Sequence, residues 1–133
     1  MNPGGWCGEG EGWRLAWDPA RQPFSVLIGG AGWAAELTAG EALQLLQAIR
    51  HLVEQVGALT DQLMPEELVS LELERQPWWV GLEGDRSAWA LRFVLTPGDS
   101  QRGIEGGWPA AASAQCLRAM EQWPLGDQHR SES

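Results

Sequence analysis

Along most of this chain apolar and polar residues alternate in short runs, and twice the alternation gives way to a helical period. Trp13, Leu15 and Trp17 fall on one side of an extended segment, Arg14 and Ala16 on the other, and Asp18-Pro19 stops it. A second strand is predicted over Phe24 to Ile28. The glycines of Gly29-Gly30-Ala31-Gly32 then turn the chain into a third, Trp33 to Leu37. Thr38-Ala39-Gly40-Glu41 has the form of a capping box, in which hydroxyl and carboxylate each satisfy an orphan N–H at a helix start. Beyond it Leu45, Ile49, Leu52, Val56, Leu59 and Leu63 recur at steps of four and three, which predicts a long helix ended by Met64-Pro65.

The second half repeats that order. Val69, Leu71 and Leu73 alternate with Ser70, Glu72 and Glu74. Trp78 to Glu83 follows Gln76-Pro77, and Trp89, Leu91, Phe93 and Leu95 alternate with Ala90, Arg92 and Val94. Thr96-Pro97-Gly98-Asp99 reads as a loop, Gly103 to Gly106 as a short strand, and Ala111 to Trp123 as a second helix. Strands followed by a helix, twice over, predict an α+β fold: a curved antiparallel sheet with one long and one shorter helix. At an offset of 75 residues Trp33 falls on Trp108 and the cap Thr38 on Ser113, which suggests a duplicated unit spanning about 11–64 and 68–123. Residues 1–10 read as a flexible lead-in, 11–123 as one domain, and 124–133 as a disordered polar tail.

Composition narrows the function classes. The 133 residues suit one compact domain. Eighteen acids against nine bases leave a net charge of −9, which repels phosphate and anionic membrane at long range. Every base is an arginine, and nine tryptophans stand beside no tyrosine. Cys7 and Cys116 lie too far apart in sequence for a zinc motif or a disulfide framework, which fits a reducing compartment. The start has no basic patch followed by an apolar run, and polar residues interrupt the long helix, so a cytoplasmic protein with no membrane span is expected.

Catalytic chemistry is not legible. His51 lies mid-helix and His129 in the tail, so neither pairs with a serine or cysteine on a rigid element. Phosphate-binding and nucleophile-elbow motifs are missing, and Gly30-Ala31-Gly32 opens a strand where a dinucleotide fingerprint would open a helix. The acids Glu66, Glu67, Glu72 and Glu74 read as a solvated face, and no metal or cofactor is expected.

Tryptophan carries the remaining signal. Trp13, Trp17, Trp33 and Trp89 sit at alternating positions beside other apolar residues and are expected to fill the space beneath the helices. Trp78 and Trp79 cannot both point inward, because strand neighbours take opposite faces. One of them is expected on an outer surface, where tryptophan anchors contacts. Arg14 and Arg92 fall opposite the apolar faces of their strands; if those strands adjoin, they share that surface. Arg102 and Glu105 bracket a glycine turn and complete the candidate binding residues.

The ordered set Gly12-Trp13-Arg14 with Trp17, Leu27-Ile28-Gly29-Gly30, Trp33-Ala34, Glu36-Leu37-Thr38 with Glu41, Leu91-Arg92, Arg102-Gly103, Glu105-Gly106 and Trp108 resembles an uncharacterised cyanobacterial family, domain of unknown function 1818, over about residues 10 to 123. That resemblance implies the architecture of the Whirly and positive-cofactor-four single-stranded DNA-binding proteins, a β-β-β-β-α unit used twice; the first half here displays three clear strands. It implies no activity. The expected function is therefore a non-catalytic cytosolic binding or assembly module acting through protein contacts or self-association. The alternative is single-stranded nucleic-acid binding on the outer sheet face, which the shortage of cations opposes.

Overall fold

The computed structural model describes residues 4–96 and 103–125, and within them the order β-β-β-β-α occurs twice. The first unit comprises β1 (Trp6–Gly10), β2 (Trp13–Trp17), β3 (Val26–Gly30), β4 (Trp33–Leu37) and α1 (Ala39–Leu59), which runs into a 3-10 turn at Thr60–Gln62. The second comprises β5 (Val69–Arg75), β6 (Trp78–Gly84), β7 (Trp89–Leu95), β8 (Ile104–Trp108) and α2 (Ala110–Met120). Each unit forms its own four-stranded antiparallel sheet, strands in chain order. The α+β class matches the sequence reading.

The strand missing from the first half is β1, within the segment read as a lead-in. Gly8 and Gly10 carry no side chain to mark an alternation, so its strand character comes from pairing, with Trp6 opposite Trp17 and Gly10 opposite Trp13. At the other end Leu125 and Trp123 are buried in the core, so packing continues past the expected start of the tail; residues 126–133 lie outside the described residues.

The element order repeats, but the positions that correspond between the two units differ from the 75-residue offset. Leu37 ends β4 before the cap Thr38, and Trp108 ends β8 before the cap Pro109. Trp108 therefore corresponds to Leu37, not to Trp33. Ser113 is not a cap either; α2 begins at Ala110, three positions earlier, and the buried Ser113 hydroxyl donates to the Trp89 carbonyl. Thr38 does form the expected capping box with Glu41, with both reciprocal bonds present.

The Gly-Trp steps that do match are the first two. Gly10-Glu11-Gly12-Trp13 and Gly30-Ala31-Gly32-Trp33 are twin two-residue hairpins, with Gly12 and Gly32 at φ of 85° and 83°. Gly10, Trp13, Gly30 and Trp33 form one row across the four strands. Each indole folds over the glycine opposite: a Cβ on Gly10 or Gly30 would lie 2.4 Å from the Nε1 of Trp13 or Trp33.

The two units interlock. α1 packs on β5 and β6 of the second sheet, while α2 packs on β1 and β2 of the first as well as on β7. Hydrogen bonds follow the same exchange. Trp78, which opens β6, donates from its indole to the Glu41 carbonyl of α1 at 2.9 Å. Trp13, which opens β2, donates to Gln115 of α2 at 3.2 Å. Between the sheets Trp33, Trp78, Phe93 and Trp108 form a ring cluster with centroids 5.2–5.7 Å apart, in edge-on and tilted arrangements that suit the aromatic quadrupole.

Candidate functional site

Strand β6 decides the tryptophan pair. Trp78, Val80 and Leu82 point inward and are fully buried, which sends Trp79, Gly81 and Glu83 to the outer face of the second sheet. Trp79 is half-buried there. Its ring lies over Gly81, where a Cβ would come within 2.7 Å of the indole. The Arg92 guanidinium stands 6.0 Å from the ring centroid, within cation–π range. The Trp79 N–H reaches Glu72 at a long 3.5 Å.

Two rows cross this face. One runs Glu72, Gly81, Arg92, Gly107 and the next Glu74, Trp79, Val94, Glu105. The side chains enclose a shallow cleft of about 140 Å³ walled by Trp79, Glu72, Glu83 and Arg92. Glu72, Glu74 and Glu105 in those rows are exposed, as is Glu83 in the adjoining row, against Arg92 as the described cation of these three rows, so negative charge predominates around Trp79.

The two arginines do not share that surface. Arg14 lies on β2 and Arg92 on β7, in separate sheets. On the first sheet Arg14 sits between Glu9 and Gly29, its stem 3.3 Å from where a Gly29 Cβ would be. Arg14 also borders an open cleft of about 570 Å³ at the end of the first sheet, beside Trp13, Trp33 and the twin hairpin turns. Glu105 is exposed on β8 opposite Val94, while Arg102 lies outside the described residues, as does His129. Trp17 and Trp89 are buried as expected; Trp13 and Trp33 are half-buried at the margin of the core.

Reactive chemistry is sparse among the described residues. No three of their His, Cys, Asp or Glu side chains converge as metal ligands. Burial pushes the Cys116 thiol up to about 12, so it stays protonated and unreactive, while Cys7 is exposed on β1. Asp85 is held below the usual carboxylate range by the Ser87 hydroxyl, then by the Ser87 and Ala88 amides, which its carboxylate caps between β6 and β7. His51 is exposed on α1. No described helix is long and apolar enough to cross a membrane.

One surface feature escaped the sequence reading. Met64 and Leu68 are 70% and 80% exposed, in the segment between α1 and β5. Their sequence context, a helix stop before an alternating strand, carries no sign of that exposure.

The family described as Domain of unknown function (DUF1818) matches residues 8–123. The chain belongs to that family. The DUF1818 chain is also similar to a solved crystal structure from Prochlorococcus sp. NATL2A, of a protein with unknown function from the DUF155 family, at 39% identity. The likeness covers 90% of this chain and 98% of that one, with a TM-score of 0.85. No curated protein matches the chain.

Proposed function

We propose that this DUF1818 protein is a non-catalytic cytosolic binding module that recognises another protein through the outer face of its second sheet. The observation that carries this reading is Trp79. A large ring held on an outer face over Gly81, with Arg92 and Glu72 beside it, is an anchor of the kind that dominates protein interfaces. A pull-down and crosslinking comparison tests it. A partner recovered by the wild-type chain and lost with Trp79→Ala supports the reading; equal recovery by both chains, or none by either, removes it.

The alternative is single-stranded nucleic-acid binding, favoured by the β-β-β-β-α order used twice, which resembles the Whirly and positive-cofactor-four proteins. Stacking on Trp79 with Arg92 above it supplies suitable chemistry for a base. The four carboxylates around that ring oppose a phosphate backbone, and Arg14 on the other sheet cannot offset them. Titration of labelled single-stranded oligonucleotides at low salt separates the two readings: binding that falls steeply with added salt selects nucleic acid.

A further inference from the structure

The second sheet ends in an open edge. Among the described residues β5 pairs with β6 and with no strand on its other side, so the outward N–H and C=O groups of a seven-residue strand have no ladder partner. Its side chains divide cleanly. Val69, Leu71 and Leu73 are half-buried on the side that carries α1, and Leu71 and Leu73 pack on the core there. Ser70, Glu72 and Glu74 are exposed on the outer face. Immediately upstream stand Met64 and Leu68, the exposed large apolar side chains of the described residues. An unpaired backbone edge, a half-covered apolar row and a row of carboxylates therefore run along one line.

We infer that β5 is a strand-addition site whose partner is an extended protein segment alternating apolar residues with Lys or Arg. The inference rests on the protein-contact reading above and names the chemistry of the partner. Main-chain hydrogen bonds to an open edge supply affinity, and alternate side chains supply specificity. On the inner side the added strand places apolar side chains beside Leu71 and Leu73, completing their burial. On the outer side it sets cations opposite Glu72 and Glu74, and opposite charges stabilise a cross-strand pair where like charges oppose it.

A second copy of this chain is a poor occupant. Antiparallel two-fold pairing of β5 centred on Glu72 places that carboxylate against its own copy, and centring on Leu73 places Glu72 against Glu74. A net charge of −9 on each copy adds to the repulsion. The other edge strands, β1, β4 and β8, are each five residues long against seven in β5, and glycine occupies Gly8 and Gly10 of β1 and Gly106 and Gly107 of β8.

The test uses the full-length chain and three fluorescein-labelled nine-residue peptides read by anisotropy at low salt. One alternates Lys and Val, one alternates Glu and Val, and one is the Lys-Val peptide with alternate backbone nitrogens methylated. The Lys-Val peptide is expected to bind, to shift the amide resonances of residues 69–75, and to bind at least about fivefold more weakly to the Glu72→Gln/Glu74→Gln variant, whose two cross-strand ion pairs are gone. The other two peptides are expected to bind at least about tenfold more weakly, one by repulsion and one for lack of N–H donors. Equal binding of the methylated peptide removes strand pairing, and equal binding of the Glu-Val peptide removes charge selection. Absence of binding by any peptide, or resonance shifts mapping away from β5, removes the inference as a whole. If all peptides fail while Trp79→Ala still abolishes recovery of a partner, the edge inference fails and the Trp79 reading stands.

Discussion

The indole of Trp108, the last residue of β8, donates a hydrogen bond of 2.9 Å to the carbonyl of Gly29 on β3, joining the two sheets through a buried contact. Trp108 is 1% exposed and its ring packs against both Trp33 and Phe93. Replacing Trp108 with Phe keeps an aromatic ring but removes the N–H and part of the volume, and is expected to cost about 2–3 kcal/mol. Trp108→Ala is expected to cost about 3–5 kcal/mol, both read from urea denaturation midpoints.

The exchange of helices predicts that neither half folds alone. Without the second unit α1 loses the β5–β6 surface it covers, and without the first unit α2 loses β1 and β2. Separate chains of residues 1–64 and 65–133 are expected to lack a cooperative thermal transition. When mixed at equal concentration they are expected to regain one. A sharp transition in either fragment by itself contradicts the interlocked packing.

Adjacent tryptophans are expected to respond differently to truncation. Trp78 is 1% exposed, touches Phe93 and bonds to the Glu41 carbonyl, so Trp78→Ala is expected to destabilise by about 3–5 kcal/mol. Trp79 rests on a half-exposed sheet face, and Trp79→Ala is expected to cost about 1 kcal/mol. Thermal denaturation of the two variants side by side measures the difference, and a comparable loss in both contradicts the inside–outside assignment.

The two thiols are expected to separate in reactivity and in their effect on stability. A colorimetric thiol reagent at pH 8 is expected to modify Cys7 rapidly in the folded protein and Cys116 only after denaturation. Burial raises the Cys116 pKa from 9.0 to about 12, so the folded state favours the neutral thiol more than the unfolded state does. That contribution is fully present below pH 9 and is lost as pH rises through the interval up to about 12. Cys116→Ala is expected to flatten the alkaline fall in stability across that interval, measured by urea titrations at a series of pH values.

The acid side has the opposite sign. Asp85 is lowered below 3.8 by the hydroxyl and amides it accepts from, so its contribution is present above that value and is lost as pH falls through the lower folded value. Asp85→Asn is expected to weaken the β6–β7 turn at neutral pH and to leave stability less dependent on pH below 4. Chemical denaturation at pH 3 and pH 7 checks both expectations.

Local pattern carried much of this protein. The alternation in Trp13–Trp17, Val69–Arg75 and Trp89–Leu95 marked strands correctly because one side of each sheet faces a core and the other faces water, and the Thr38–Glu41 box marked the start of α1 because capping needs residues only three apart. The rule that Trp78 and Trp79 take opposite faces was also legible. Which of them lay inside was not, since that depends on where α1 docks, and its Glu41 carbonyl takes Trp78. β1 stayed hidden because a glycine-rich edge becomes a strand only through the neighbour it pairs with. The division into two sheets, the separation of Arg14 from Arg92, the open edge at β5 and the exposure of Met64 and Leu68 are properties of long-range packing. Residues at neighbouring positions set a period; only the fold decides which distant surface each period meets and which edges it leaves unpaired.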